Sequence, residues 1–84
     1  MSGFGQQRVA RAFGKVLRAV RHEAGVSQEL LAERADIDRT YPSLIERGLR
    51  QPTIGKFIEI AIALRMEPAT LITMTMARLR GDPP

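Results

Sequence analysis

The sequence predicts an all-α fold of five helices in one domain spanning residues 1–84, on three observations. Apolar residues recur at helical spacing through segments 8–24, 54–64 and 68–80. Breakers and capping residues punctuate the chain at Gly25, Ser27, Asp36, Gly48, Thr53 and Pro68. No segment alternates apolar and polar residues as a half-buried strand does.

The first helix is expected over 8–24. At about 100° per residue, Val9, Phe13, Val16, Leu17 and Val20 share one stripe, while Arg8, Arg11, Lys15, Arg18 and His22 gather opposite. Such a row ordinarily faces water, yet residues 1–21 carry five positive and no negative charges, a field that draws in polyanions. Beyond Gly25, Ser27 is placed to cap a second helix through Ala35, with Leu30, Leu31, Ala32 and Ala35 apolar. Asp36 tolerates a left-handed turn, and Asp38 can cap a third helix near 39–47 that Gly48 stops. Thr53 caps a fourth helix through Leu64, whose expected buried stripe is Ile54, Phe57, Ile58, Ala61 and Leu64. Pro68 suits the first turn of a fifth, with Leu71, Ile72, Met76 and Leu79 toward one side before a tail begins at Gly81. The ends, 1–6 and 81–84, are expected to be flexible.

Composition narrows the function classes. With no cysteine and a single histidine, His22, the chain offers no thiolate metal cluster, no cysteine nucleophile and no His-rich zinc site, so no cofactor is expected. No apolar run reaches the ~18–20 residues of a membrane span and no secretory leader is seen, so a cytoplasmic protein without a membrane partner is expected. Lys and Arg number 13 against 9 Asp and Glu, a net +4, and eleven of the basic residues are Arg. A guanidinium forks onto phosphate oxygens and guanine edges as an ammonium does not, which favours nucleic acid as the partner.

Two short helices joined by a tight turn have the layout of a helix-turn-helix. Ala32 is small where the helices must cross, Ile37 plugs the turn and Ile45 anchors the next helix, whose intervening positions Arg39, Thr40, Tyr41 and Ser43 are polar. The stretch VSQELLAERADIDRTYPSLIERGLRQPTIGKFIEIAIAL, residues 26–64, resembles the DNA-binding domain of the phage repressor/Cro (XRE) family. The motifs that carry the likeness are Ser-Gln-x-x-Leu-Ala at 27–32, Ile-Glu-Arg-Gly at 45–48 and Pro-Thr at 52–53. The resemblance implies a five-helix lambda-repressor-like domain, its helix-turn-helix formed by the second and third helices.

Carried onto matching positions, the resemblance implies that Arg39, Thr40, Tyr41, Ser43 and Leu44 line the groove-facing side of the recognition helix. Arg39 can pair with guanine, Thr40 and Ser43 can donate to a base or phosphate, and Leu44 can pack on a thymine methyl. Tyr41 is open to either a phosphate hydrogen bond or partial burial. Ser27 and Gln28 at the head of the second helix, and Arg47, Arg50 and Gln51 past the third, are expected on phosphates. Glu46 suits an ion pair with a first-helix arginine such as Arg21, locking the first and third helices together.

This sequence departs from the family pattern at Pro42, which can delay the recognition helix or open it as a tight turn. Asp36 and Arg65 stand where glycine is common, Arg65 at about 1 kcal/mol if left-handed. Ile62, Leu71, Ile72, Met76 and Leu79 are expected to form an isologous homodimer contact, with Met74 nearby. The function expected is a sequence-specific transcriptional regulator that binds a pseudo-palindromic operator in double-stranded DNA as a homodimer, with a possible polymerase or second-protein contact. The alternative is a protein-interaction module of the same fold. An enzyme built on Glu29, Glu33, Asp36 and Asp38 is disfavoured, because capping explains those carboxylates more simply.

Overall fold

The computed structural model describes residues 3–81. Five helices follow in order: α1 (Gln6–Ala24), α2 (Gln28–Ala35), α3 (Tyr41–Glu46), α4 (Ile54–Ala63) and α5 (Pro68–Arg80). No strand occurs among the described residues. Residues 82–84, part of the expected flexible tail, lie outside the described range.

Helix α1 starts at Gln6, two residues ahead of expectation and inside the segment expected to be loose, because Gly5 at φ 87° turns the chain into it. Gly25 in the left-handed region ends it, donating to the His22 carbonyl while Val26 N–H reaches back to Arg21. Ser27 caps α2 through a 3.0 Å bond from the Leu30 N–H to its Oγ. Asp36, at φ 55°, and Arg65, at φ 58°, take the left-handed turns that usually call for glycine.

The core gathers where α1 crosses α3 and α5, and where α2 lies on α4. Leu17, Leu31, Ala35, Ile45, Ile60, Ala61 and Leu71 are fully enclosed, and Phe13 meets Phe57 at a ring separation of 5.4 Å. Gly14 brings α1 onto the backbone of α3: a methyl at that position would press into the carbonyl oxygens of Ile45 and Glu46.

Helices α4 and α5 correct the expected stripes. On α4 the buried residues are Phe57, Ile60, Ala61 and Ala63, with Leu64 just beyond, while Ile54 is 74% exposed and Ile58 lies open as well. This helix is apolar on more than one face, so periodicity alone does not choose which face docks. On α5 the buried stripe is Leu71, Thr75 and Leu79, spaced by four. Leu71 and Leu79 therefore belong to the chain's own core, and the expected dimer contact is corrected at both. Thr75 is buried without penalty because its hydroxyl donates to the Leu71 carbonyl at 2.9 Å. Ile62 and Ile72 are exposed and Met76 half-buried.

Candidate nucleic-acid interface

Helix α3 is shorter than its sequence suggests. Pro42 stands in its first turn, where no intrahelical N–H bond is lost, and its ring is among the most deeply buried side chains. The helix consequently begins at Tyr41, and Arg39 and Thr40 lie on the preceding turn, both exposed. Asp38 organises that turn rather than capping the helix. Its Oδ1 accepts the Thr40 N–H at 2.9 Å and the Thr40 hydroxyl at 2.6 Å. These two bonds, with the Arg39 charge beside them, hold the Asp38 carboxyl below its usual range.

That geometry changes what two residues can offer. The Thr40 hydroxyl gives its proton to Asp38, so toward an incoming group it is an acceptor and not the donor first expected. Tyr41, half-buried against the core, likewise donates to the Gln51 carbonyl at 3.1 Å and ties the start of α3 to the loop that follows it. Ser43 and Leu44 are half-exposed and Arg47 and Arg50 exposed. Thr40, Ser43, Leu44 and Arg47 follow one another at helical spacing along α3, while Arg39 lies on the turn before it, in a cleft with Glu29, Glu33 and Ile37, and Arg50 on the loop after it, in a cleft with Gln6, Gln7 and Ala10.

Behind this surface sits a clamp. The Arg21 guanidinium grips Glu46 in a fork, Nε to Oε2 at 2.6 Å and Nη2 to Oε1 at 3.0 Å, and its Nη1 donates to the Val26 carbonyl at 2.9 Å. Gln28 Nε2 adds a 3.0 Å bond to Glu46 Oε1. The Glu46 carboxylate therefore ties α1 and α2 to the end of α3, and the Arg21 guanidinium adds the α1–α2 loop. The side chains of Arg21 and Glu46 are only 9% and 3% exposed, and among the described residues no buried side-chain polar atom lacks a partner.

The remaining predicted phosphate contacts are distributed around this clamp. Ser27 is exposed and occupied as the α2 cap, leaving its own hydroxyl proton to give. Gln28 uses an amide proton on Glu46, so an anion at the head of α2 would meet chiefly backbone N–H groups. Gln51 is exposed and donates to the Gln6 carbonyl at 3.2 Å, pinning the loop to α1. Of the first-helix basic row, Arg8 is occupied elsewhere, donating to the Leu79 carbonyl at the end of α5 and lying over Phe4. His22 is exposed. Sequence reasoning missed Gly14, although a glycine on the apolar side of a long helix costs about 1 kcal/mol in propensity and so signals a close approach. It also missed Lys56, whose Nζ donates to the Asp36 carbonyl at 3.0 Å and braces the helix-turn-helix from α4.

Two helices meeting at a tight turn, the second braced from behind and polar in front, define a helix-turn-helix protein. The chain belongs to the helix-turn-helix domain family, whose model matches residues 12–72. The phage repressor/Cro likeness of residues 26–64 falls inside that match. An uncharacterized HTH-type transcriptional regulator of Mycobacterium tuberculosis is 41% identical over 58 residues, covering 69% of this chain and 41% of the relative. The match thus spans about two fifths of that regulator's length. Among solved structures, the restriction-modification controller protein C.AhdI from Aeromonas hydrophila matches at 39% identity with a TM-score of 0.71, over 74% of this chain and 94% of that one. The controller protein C.Esp1396I, solved as a tetramer in complex with its natural 35 base-pair operator, matches at 30% identity with a TM-score of 0.78, over 87% of this chain and 96% of its own.

Proposed function

We propose that this chain is a transcriptional regulator that binds operator DNA in a sequence-specific manner as a homodimer. The observation that carries the reading is the Arg21–Glu46–Gln28 clamp, which braces α3 from the inside and leaves its other face to solvent. Two such faces related by a two-fold axis would enter successive major grooves about 34 Å apart. Arg39 then reads guanine through its fork, and Thr40 accepts from a cytosine or adenine amino group. Ser43 contributes a hydroxyl, and Leu44 packs on a thymine methyl. The head of α2 at Ser27 and Gln28, together with Arg47, Arg50 and Gln51, follows the sugar-phosphate backbone and supplies affinity without sequence choice. Exposed Ile62 and Ile72, with half-buried Met76, form the apolar contact between copies. The operator-bound C.Esp1396I tetramer among the structural neighbours supports this reading.

The test is selection of binding sites from a random duplex pool, followed by affinity measurement across a salt series. A two-fold related sequence should emerge, with affinity falling steeply as salt rises. A pool without enrichment, or binding unmoved by salt, overturns the proposal.

A further inference from the structure

We propose that Leu49, acting with Leu44, forms an apolar ledge that takes the C5-methyl group of an operator thymine. This rests on the DNA reading above and adds Leu49 as a specificity residue outside the recognition helix. The end of α3 is a Schellman turn: Gly48, at φ 75°, donates to the Ile45 carbonyl, and Leu49 N–H donates back to the Leu44 carbonyl, each at 2.9 Å. Such a turn ordinarily brings its two apolar residues against one another. Here Leu49 stays 58% exposed and Leu44 half-exposed, so the pair remains open to a third group.

The surroundings identify that group. Arg47 and Arg50 lie exposed on either side of Leu49 in the chain, and the Tyr41–Gln51 bond folds the loop back alongside α3. Gly48 rests against the Arg11 side chain, where a Cβ would come within 2.8 Å of Cγ, so the loop is held against α1. The charges of Arg47 and Arg50 draw a polyanion to this loop, and the thymine methyl is the apolar group that DNA displays in its major groove. The other large exposed apolar side chains, Ile54, Ile58, Ile62, Ile72 and Met74, lie on α4 and α5, leaving Leu49 the one on the loop after α3 among the described residues.

The experiment replaces operator thymines one at a time by deoxyuridine, which lacks only the methyl. Wild-type affinity should fall about fourfold at one thymine of each half-site, the equivalent of one buried methyl-sized group. Leu49→Ala and Leu44→Ala should each abolish that penalty with an unchanged salt slope and circular dichroism spectrum, while Leu49→Met retains it. Indifference of the wild type to every replacement, or a full penalty surviving in Leu49→Ala, overturns the inference. A protein that binds no duplex of any sequence fails the DNA reading itself, a result distinct from binding that ignores the methyl.

Discussion

Gly14 of α1 rests on the backbone carbonyls of Ile45 and Glu46 in α3, and an added Cβ would come within 2.8 Å of the Glu46 oxygen. Main chain, not a flexible side chain, stands in the way. Gly14→Ala should therefore destabilise the fold by about 2 kcal/mol through overpacking, although alanine is the better helix former. Thermal unfolding should show a midpoint lower by roughly 8–16 °C. An unchanged midpoint would mean that α1 and α3 can part freely.

Removing one member of the buried pair strands the other. Glu46→Leu should cost about 3–5 kcal/mol in urea unfolding, because the Arg21 guanidinium is left desolvated. Arg21→Met combined with Glu46→Leu should cost markedly less than the sum of the single changes. Additive losses would contradict the coupling read from the bidentate geometry.

The Asp38 carboxyl is held below its usual range, first by the Thr40 hydroxyl and then by the Thr40 N–H. Because its folded pKa is depressed, the turn's contribution is complete above about 3.9 and is lost as pH falls through the lower folded value. A carbon-detected NMR titration should place the Asp38 midpoint below 3.8, and Thr40→Val should move it back upward. A midpoint unaffected by that change would show that the hydroxyl bond does not form in solution.

Arg39 and the pair Arg47 and Arg50 should separate in binding assays. Arg39→Ala is expected to relax preference at one operator position by about 1–3 kcal/mol. Arg47→Ala and Arg50→Ala should weaken all sequences alike, each lowering the salt slope by about one. Equal effects on the slope from all three would remove the distinction between reading and anchoring.

Adjacent residues on α5 should behave oppositely. Leu71→Ala is expected to destabilise the fold by about 2–5 kcal/mol, since the side chain is wholly enclosed. Ile72→Glu, at 46% exposure, should leave the fold intact but lower the mass seen by light scattering and weaken operator binding. A full-mass dimer with Ile72→Glu would displace the contact from this face.

Chain chemistry was enough to read the five elements, the caps at Ser27 and Thr53, the left-handed turns at Asp36 and Arg65, and an Arg21–Glu46 pair, though not the cap of α3. The elements follow from helical periodicity and the Asp36 turn from local sterics, whereas the Arg65 turn rests on the family pattern and the Arg21–Glu46 pair, 25 residues apart, on charge complementarity within the helix-turn-helix layout. Three-dimensional packing chose among options that local chemistry leaves equal. Isoleucines cover several sides of α4, so its inward face depends on how α2 and α5 dock, and Phe57, Ile60 and Ala61 prevail over Ile54 and Ile58. On α5 a threonine with its own carbonyl partner turns inward beside Leu71, leaving Ile72 outside. At the recognition surface the proline signal is readable, but the direction of the Thr40 proton is not. That direction follows from where the Asp38 carboxylate lies in the turn, and it converts a nominal donor into an acceptor.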